Sequence, residues 1–197
     1  MPKIKIKARN IANLTDARYF AAMGVDFLSF QLDLSHEERI DATVFHGIKA
    51  WVEGPEIVAQ VGKTPSNLLY DVYAADDFDL VCCDPENKDY DNPNTIYTIS
   101  PPSLQELAHL TLDPERRYHL DLQRIPEDSI YAGKLLPELC AKHQLFISAP
   151  THESYIRQLI EDIQPYGIAL MGGEEEKVGF KSYEELDVFF DQFEIYS

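Results

Sequence analysis

The feature of this sequence that most constrains its fold is a regular alternation between short strand-like runs and longer helix-like stretches. Eight runs rich in β-branched or aromatic residues recur at intervals of about 20 to 25 residues along the chain. Because strands that are separated by helices pair in parallel through crossover connections, this pattern indicates an α/β protein. Eight such units are typical of a closed (β/α)8 barrel, the TIM barrel. An open doubly wound sheet is the competing architecture, and it usually has about five or six strands.

The predicted elements follow one another without an intervening linker. The predicted strands are Lys3–Ala8, Val25–Gln31, Glu56–Val61, Asp79–Cys83, Thr95–Ile99, Tyr118–Leu122, Leu145–Ser148 and Gly167–Met171. The predicted helices are Thr15–Met23, Ser35–Val52 with an interruption near Gly47, Thr64–Phe78, Ser103–Leu110, Asp128–Lys142, Glu153–Ile163 and Tyr183–Phe193. The polar, proline-containing stretch Asp84–Asn94 predicts that the fourth helix is short or missing. No change in composition divides residues 1–197, so we expect a single domain.

The charge balance limits the classes of partner. The chain has 34 acidic and 17 basic residues, a formal net charge of −17. Such a surface repels phosphate backbones and anionic lipids, so neither nucleic acid nor a membrane is expected as a partner. A small anionic metabolite can still be a ligand wherever a local positive site outweighs the negative potential of the whole protein. The oligomeric state cannot be read from the sequence, and both a monomer and a homodimer remain possible.

No targeting or membrane signal is evident in the sequence. No apolar run approaches the roughly 18 residues that a membrane-spanning helix needs. The first residues, Met1–Lys5, enter a strand pattern at once and lack the apolar core of a signal peptide. We therefore expect a cytoplasmic protein.

The cysteines and histidines give no sign of a metal or cofactor. Three cysteines include the adjacent pair Cys82 and Cys83, which makes a disulfide framework implausible, and we expect reduced, buried thiols. The six histidines show neither HExxH nor HxH spacing, so we predict no metal site and no cofactor. Trp51 is expected with Phe45 and Ile48 on the core face of a helix.

Several segments of the chain resemble the phosphoribosylanthranilate isomerase family. Ile6–Ala17, IKARNIANLTDA, resembles the family's opening, which reads roughly VKICGITNLEDA. Ala21–Phe30 resembles the family's AxxGADxxGF, and His119–Asp121 corresponds to the LLD of its sixth strand. Ile156–Gly179 follows the family's last helix, strand and loop without a gap. The resemblance implies a TIM barrel and an intramolecular aldose–ketose isomerase, which performs an Amadori rearrangement in tryptophan biosynthesis.

The resemblance also implies two catalytic positions. In the family, a cysteine that closes strand one removes the C2′ proton, and an aspartate that closes strand six protonates the ring oxygen. Asp121 retains the second group. Arg9 stands at the cysteine position, and Asn10 stands at the following glycine. Because arginine stays protonated at any accessible pH, Arg9 cannot act as the base. We therefore expect the standard activity to be lost or much reduced.

The phosphate-binding positions implied by the resemblance are also altered. The family's glycine pair after strand seven is Ala149-Pro150 here, and proline has no N–H to donate. After strand eight, Gly172 and Gly173 can still offer backbone amides to an anion. Half of a phosphate site is therefore expected to remain.

Strand alternation predicts which side chains share the barrel interior. If Arg9 and Asp121 face inward, Lys7 and His119 do so as well. The other predicted inward residues of the first two strands are Lys5, Ser29, Gln31 and Asp33. One interpretation is a pocket of these groups that binds a sugar phosphate or carboxylate, in a barrel that serves as a non-catalytic binding or partner protein. Another is an internal network in which Arg9 and Lys7 neutralise Asp121, since buried charges must be paired. A third is a different reaction that uses Asp121 and Asp84.

Overall fold

The strands close into a barrel in chain order. The structure, a computed structural model, describes residues 4–131, 133–148, 158–172, 175–177 and 180–196. All eight strands pair in parallel, and the last pairs with the first. The strands are β1 Lys5–Arg9, β2 Phe27–Gln31, β3 Glu56–Gly62, β4 Leu80–Cys83, β5 Thr95–Ile99, β6 Arg117–Asp121, β7 Gln144–Ser148 and β8 Gly167–Met171. The predicted (β/α)8 barrel is confirmed.

Helices connect most of the strands on the outside of the barrel. They are α1 Leu14–Ala22, α2 Ala42–Lys49, α3 Ser66–Tyr70, α4 Leu104–His109, α5 Glu127–Tyr131, α6 Leu135–Cys140 and α7 Glu184–Tyr196. A π-helical turn, Leu159–Ile163, precedes β8, and a short antiparallel pair, β9 Glu175–Lys177 and β10 Phe180–Lys181, follows it. Between β4 and β5 the described chain forms only a 3-10 turn, Lys88–Tyr90. The expectation of a short or missing fourth helix is confirmed.

The start of α1 is fixed by side-chain hydrogen bonds of Asn13 and Asp16. The Asn13 side chain caps the helix by accepting a hydrogen bond from the backbone N–H of Asp16 at 2.8 Å, and its amide donates to the Asp16 carboxylate at 2.8 Å. The Tyr183 hydroxyl also donates to this carboxylate, at 2.6 Å. The Asn13–Ala17 segment therefore begins α1, and the hydrogen bond from Tyr183 to Asp16 joins α1 to the residue just before α7.

The second helix begins later than predicted. The Asp33 carboxylate accepts a hydrogen bond from the backbone N–H of Ser35 at 2.9 Å, which holds this segment in a turn. The helix starts only after Asp41, whose side chain accepts from the backbone N–H of Val44 at 2.9 Å. Gly47 lies inside α2, so the predicted interruption is wrong.

Two other helix predictions are wrong in extent. The third helix ends at Tyr70 instead of Phe78. The helix predicted over Asp128–Lys142 is divided into α5 and α6. Pro137 accounts for the division, because its ring is tolerated in the first turn of α6 but would clash with a preceding carbonyl inside a continuous helix.

Trp51 does not lie in the core, so that prediction is wrong. Its side chain is 67% exposed, whereas Phe45 and Ile48 of α2 are buried. Trp51 follows the helix in a turn, where the helical periodicity no longer sets its direction. The Arg18 guanidinium lies over its ring, 5.8 Å from the ring centroid.

The lower part of the barrel interior is largely apolar, with the Lys7 side chain buried beside Phe146. A buried cluster fills this part; it consists of Phe27, Val58, Leu80, Cys82, Ile96 and Phe146. Cys82 and Cys83 are buried, Cys140 is partly buried, and all three are free thiols, as predicted. None of the helices in the described part of the chain has the length and apolar composition needed to span a bilayer.

Candidate functional site

The strand register stacks the inward side chains in layers at the C-terminal mouth of the barrel. In a barrel of this type each layer takes side chains from alternate strands, and equal height advances by about one residue per strand. Lys7 pairs with Phe27 and Ala8 with Leu28, so the same register continued by one residue places Ser29 beside Arg9. Ser29 pairs with Val58, so Gln60, two residues further along β3, is at the height of Arg9. Continued around the barrel, this rule gives a mouth layer of Arg9, Gln60, Thr98 and Ser148. The second layer, beneath it, consists of Ser29, Cys82, His119 and Ala169.

Arg9 and Asp121 meet at the mouth, as the alternation predicts. The Arg9 Nη1 atom lies 3.3 Å from Asp121 Oδ2 and donates to Ser148 Oγ at 2.5 Å. Arg9 is only 7% exposed, so its guanidinium is directed into the barrel and not outward to water. The Asp121 side chain is 25% exposed and lies at the opening. The following residue, Asn10, has a φ of +52°, a left-handed conformation that asparagine tolerates better than most residues.

Ser148 is the centre of a saturated hydrogen-bond network. Its Oγ lies 2.9 Å from His119 Nε2 and donates to the carbonyl of Ala169 at 3.3 Å. The Lys7 ammonium lies 3.5 Å from His119 Nδ1, so this nitrogen is the acceptor and Nε2–H is the donor. The serine oxygen therefore accepts from both Arg9 and His119 and donates its own hydrogen. With no free lone pair and no base to take its proton, Ser148 is not placed to act as a nucleophile.

Burial controls the protonation of the groups beneath the mouth layer. Burial lowers the pKa of His119 well below its usual value, and the positive charges of Lys7 and Arg9 lower it further. Burial also lowers the pKa of Lys7, against the opposing effect of the Cys82 thiol. His119 is therefore neutral at physiological pH and acts as a hydrogen-bonding spacer.

The predicted salt-bridge network is formed only in part. Lys7 does not contact Asp121; its Nζ lies 3.7 Å from Cys82 Sγ and 5.6 Å from the centroid of the Phe146 ring. Of the two buried basic side chains, Arg9 therefore has a carboxylate partner, whereas burial disfavours the charged form of Lys7.

Four buried polar atoms on the β1–β3 side of the mouth have no hydrogen-bond partner among the described residues. They are Arg9 Nε, Asn10 Oδ1, Ser29 Oγ and Gln60 Oε1. Ser29 is fully buried, and its inward direction follows from strand alternation. Sequence reasoning missed Gln60, Thr98 and Ser148, although the same alternation along β3, β5 and β7 identifies them as inward residues.

Of the remaining predicted site residues, Asp84 pairs with Lys63, and Gly172 directly follows Met171, the β8 residue that pairs with Arg9. The Asp84 carboxylate lies 3.8 Å from Lys63 Nζ, and burial raises its pKa, with further contributions from Asp33 and Glu86. A Cβ atom built on Gly172 would lie 3.3 Å from the Asp16 carboxylate, which disfavours a second anion there.

Some of the predicted phosphate-site residues are not described by the structure. Gly173, Ala149 and Pro150 lie outside the described residues. Among the described residues, no group of three or more histidine, cysteine, aspartate or glutamate side chains is arranged to hold a metal ion.

Several solved structures are similar to this chain in fold. A phosphoribosylanthranilate isomerase in complex with reduced 1-(o-carboxyphenylamino)-1-deoxyribulose 5-phosphate superposes with a TM-score of 0.74 at 17% identity, covering 97% of this chain and 98% of that one. The isomerase from Thermus thermophilus gives 0.73 at 19% identity, covering 98% and 100% of the two chains. TrpF from Jonesia denitrificans gives 0.72 at 14% identity and covers 97% of both. No family sequence profile and no curated protein sequence matches the chain. At these identities the comparison shows the fold alone.

Proposed function

We propose that this chain is a phosphoribosylanthranilate-isomerase-like barrel that has lost, or nearly lost, the Amadori rearrangement and binds a small anion at its mouth. The fold and the resembling segments support the relationship. The observation that carries the proposal is the Arg9 guanidinium, which occupies the position of the expected base and lies 3.3 Å from Asp121 Oδ2.

Neither half of the expected acid–base pair is available in this arrangement. The rearrangement needs one group to remove the C2′ proton and another to protonate the ring oxygen. Arg9 has no lone pair that can accept a proton at accessible pH. The Asp121 carboxylate is already paired with the Arg9 guanidinium, 3.3 Å away, so a substrate oxygen would have to compete with Arg9 for it.

Binding of an anion is supported by charge and by unused hydrogen-bond donors. Lys7 and Arg9 are both buried, and only Arg9 has a carboxylate partner. The Nε atom of Arg9 has no partner among the described residues. A sugar phosphate or a carboxylate would supply an acceptor for this guanidinium. We propose such a metabolite, and neither nucleic acid nor a membrane, as the partner of this acidic protein.

A turnover assay tests the loss of chemistry. With phosphoribosylanthranilate as substrate, the wild-type protein should be at least about 100-fold slower than a functional isomerase, since a single general acid or base contributes that much or more. The Arg9→Cys/Asn10→Gly double variant should recover little, because Pro150 still lacks an N–H for the phosphate. Turnover of the wild-type protein at ordinary efficiency would show that the proposal is wrong.

Thermal-shift measurements test the anion site. Sugar phosphates and small carboxylates should raise the unfolding temperature of the wild-type protein as their concentration increases. The Arg9→Met variant should lose the shift. If no anion stabilises the wild-type protein, or if Arg9→Met responds equally, the anion site is not at Arg9.

A further inference from the structure

We infer that the cavity between the β2–α2 loop and α3 binds a free apolar α-amino acid of about the size of leucine. The cavity has a volume of about 240 Å³, and the exposed side chains of Leu34, Leu68 and Val72 lie at its opening. This site lies apart from the barrel mouth, so its occupation does not depend on the proposed function.

The cavity is on the outer side of the barrel. Leu32, which lines it, continues the pairing of β2, because its backbone N–H donates to the carbonyl of Gln60 at 2.8 Å. Since Ser29 and Gln31 are directed inward, alternation directs Leu32 outward. Leu32 accordingly belongs to the large buried cluster that also contains Leu69, at the inner end of the cavity.

The lining is mainly aliphatic and suits a side chain of a few carbons. Its aliphatic members are Leu32, Leu34, Ile40, Ala42, Leu68, Leu69 and Val72. At about 30 Å³ for each water-sized group, the cavity holds about eight such groups. This is close to the size of a leucine molecule, whose side chain would be removed from water on binding.

The polar side chains of the lining differ in how far their hydrogen bonds are satisfied. The Arg39 guanidinium and the Tyr73 hydroxyl form no hydrogen bond or ion pair with the described residues. Asp41 uses one carboxylate oxygen to cap α2, where it accepts from the backbone N–H of Val44 at 2.9 Å. Its other oxygen remains available. One cation, one anion and one hydroxyl donor therefore border an aliphatic cavity.

The two opposite charges act at one place. Burial raises the pKa of Tyr73, the Arg39 charge lowers it, and the Asp41 charge raises it. The hydroxyl is therefore protonated at physiological pH and lies near both charged groups. A zwitterion fits between them, because its carboxylate can accept from Arg39 and Tyr73 while its ammonium group donates to Asp41.

The paired charges select among small apolar molecules. A simple carboxylate would satisfy Arg39 but would bring a second negative charge close to Asp41. A simple amine would satisfy Asp41 but would bring a second positive charge close to Arg39. An α-amino acid meets both requirements on a single carbon and leaves its side chain for the aliphatic lining.

Calorimetric titration of the wild-type protein with leucine, isocaproate, isoamylamine and glycine tests this assignment. Isocaproate is leucine without the amino group, and isoamylamine is leucine without the carboxylate. Leucine should bind at least about tenfold more tightly than either, because each lacks one charge-assisted hydrogen-bonding group. Glycine should not bind measurably, because it has no side chain to bury. Equal affinity for leucine and isocaproate, or no binding of leucine, would overturn the inference.

Two substitutions assign the charges of the ligand to individual residues. Arg39→Met should weaken leucine binding about tenfold and make leucine and isoamylamine equivalent. Asp41→Asn should make leucine and isocaproate equivalent, and it should not destabilise α2, because asparagine is an equally good helix cap. Both residues are exposed, so neither variant should fail to fold. If both variants keep the wild-type preference for leucine, the inference is wrong.

Glu38→Gln is the matched control. Glu38 precedes Arg39 in the chain and is also charged and exposed, but its carboxylate accepts a hydrogen bond from Asn10 Nδ2 at 3.3 Å. Its substitution should leave the affinity for leucine unchanged. Ala42→Leu, in contrast, should fill part of the cavity and abolish binding. Full affinity in Ala42→Leu would show that leucine binds elsewhere.

Arg9→Met distinguishes this site from the mouth. It should lose the stabilisation by anions that the proposed function predicts and keep the wild-type affinity for leucine. If Arg9→Met loses leucine binding while Arg39→Met retains it, the amino acid binds at the mouth and this inference is wrong, whereas the proposed anion site stands.

Discussion

The two sides of the barrel mouth use similar residues but differ in how completely their hydrogen bonds are formed. On the β6–β8 side, the Ser148 hydroxyl contacts Arg9, His119 and the Ala169 carbonyl. On the β1–β3 side, the Ser29 hydroxyl is equally buried and has no partner among the described residues. Both serines are in interior layers of the same barrel, so burial alone does not explain the difference.

The difference indicates separate roles for the two sides. A saturated network in a low-dielectric interior is rigid, because moving any member leaves another without a partner. The Ser148 side therefore holds Arg9 in one orientation. The Ser29 side leaves buried polar atoms without a partner among the described residues, which is rare in native proteins.

The largest effect expected from this comparison is on stability, in a pair of matched serine substitutions. Ser148→Ala removes the acceptor of Arg9 and His119 and the donor to Ala169, and should lower the free energy of unfolding by about 3 kcal/mol. Ser29→Ala should leave it unchanged or raise it by up to about 1 kcal/mol. Urea unfolding of the two variants measures both values. Equal losses would contradict the distinction between the two sides.

A second, smaller effect concerns the ion pair at the opening. Asp121→Asn keeps the shape of the side chain but removes the charge that neutralises Arg9, and should cost about 2 kcal/mol of stability. This value is below that of a fully buried pair, because the Asp121 side chain is 25% exposed. The loss should shrink when chloride or a small carboxylate is present at high concentration, since an external anion can replace the missing charge.

Asp84→Asn is the control for this substitution. Asp84 lies at the same end of the barrel but pairs with Lys63, whose side chain is 74% exposed. An exposed pair of this kind contributes at most about 1 kcal/mol. If Asp84→Asn and Asp121→Asn lower the free energy of unfolding equally, the Arg9–Asp121 pair contributes no more to stability than an exposed ion pair.

The barrel and the inward direction of Arg9 could be predicted from the sequence, because both depend on local periodicity. Eight alternating units determine a parallel sheet, and the period of two along β1 and β6 places Arg9 and Asp121 on the same interior face. The limits of α2 were less predictable. They depend on how Asp33 and Asp41 use their side chains, and either residue could serve a turn or a helix cap.

The hydrogen bonds of the site could not be predicted from the sequence. Arg9 and Ser148 are 139 positions apart, and their contact depends on the register with which β8 closes the barrel against β1. The same register places two layers, those of Arg9 and His119, between Lys7 and Asp121, so the charge network expected around Lys7, Arg9 and Asp121 is only partly formed. Charge and strand alternation identify the residues that can form the site, whereas the register in which the barrel closes determines which of them come into contact.

The smallest of the expected effects is a pH dependence that comes from the saturated side. Because burial first, and then Lys7 and Arg9, lower the pKa of His119 in the folded protein, this histidine takes up a proton mainly in the unfolded chain. The unfolded state therefore binds more protons below about pH 6.5, and folded-state stability falls as the pH falls. Between pH 7.5 and 5.5 this one group should account for about 1.4 kcal/mol.

His119→Gln isolates that contribution, because glutamine can still donate to Ser148 and accept from Lys7 but cannot take up a proton. Urea unfolding at both pH values should show the wild-type protein losing about 1.4 kcal/mol more than this variant. His109→Gln, at the exposed end of α4, controls for the loss of a histidine as such. A wild-type dependence as shallow as that of His119→Gln would mean that the imidazole becomes charged inside the barrel. The network around Ser148 would then have to rearrange, and the contrast between the two sides of the mouth would hold only at neutral pH.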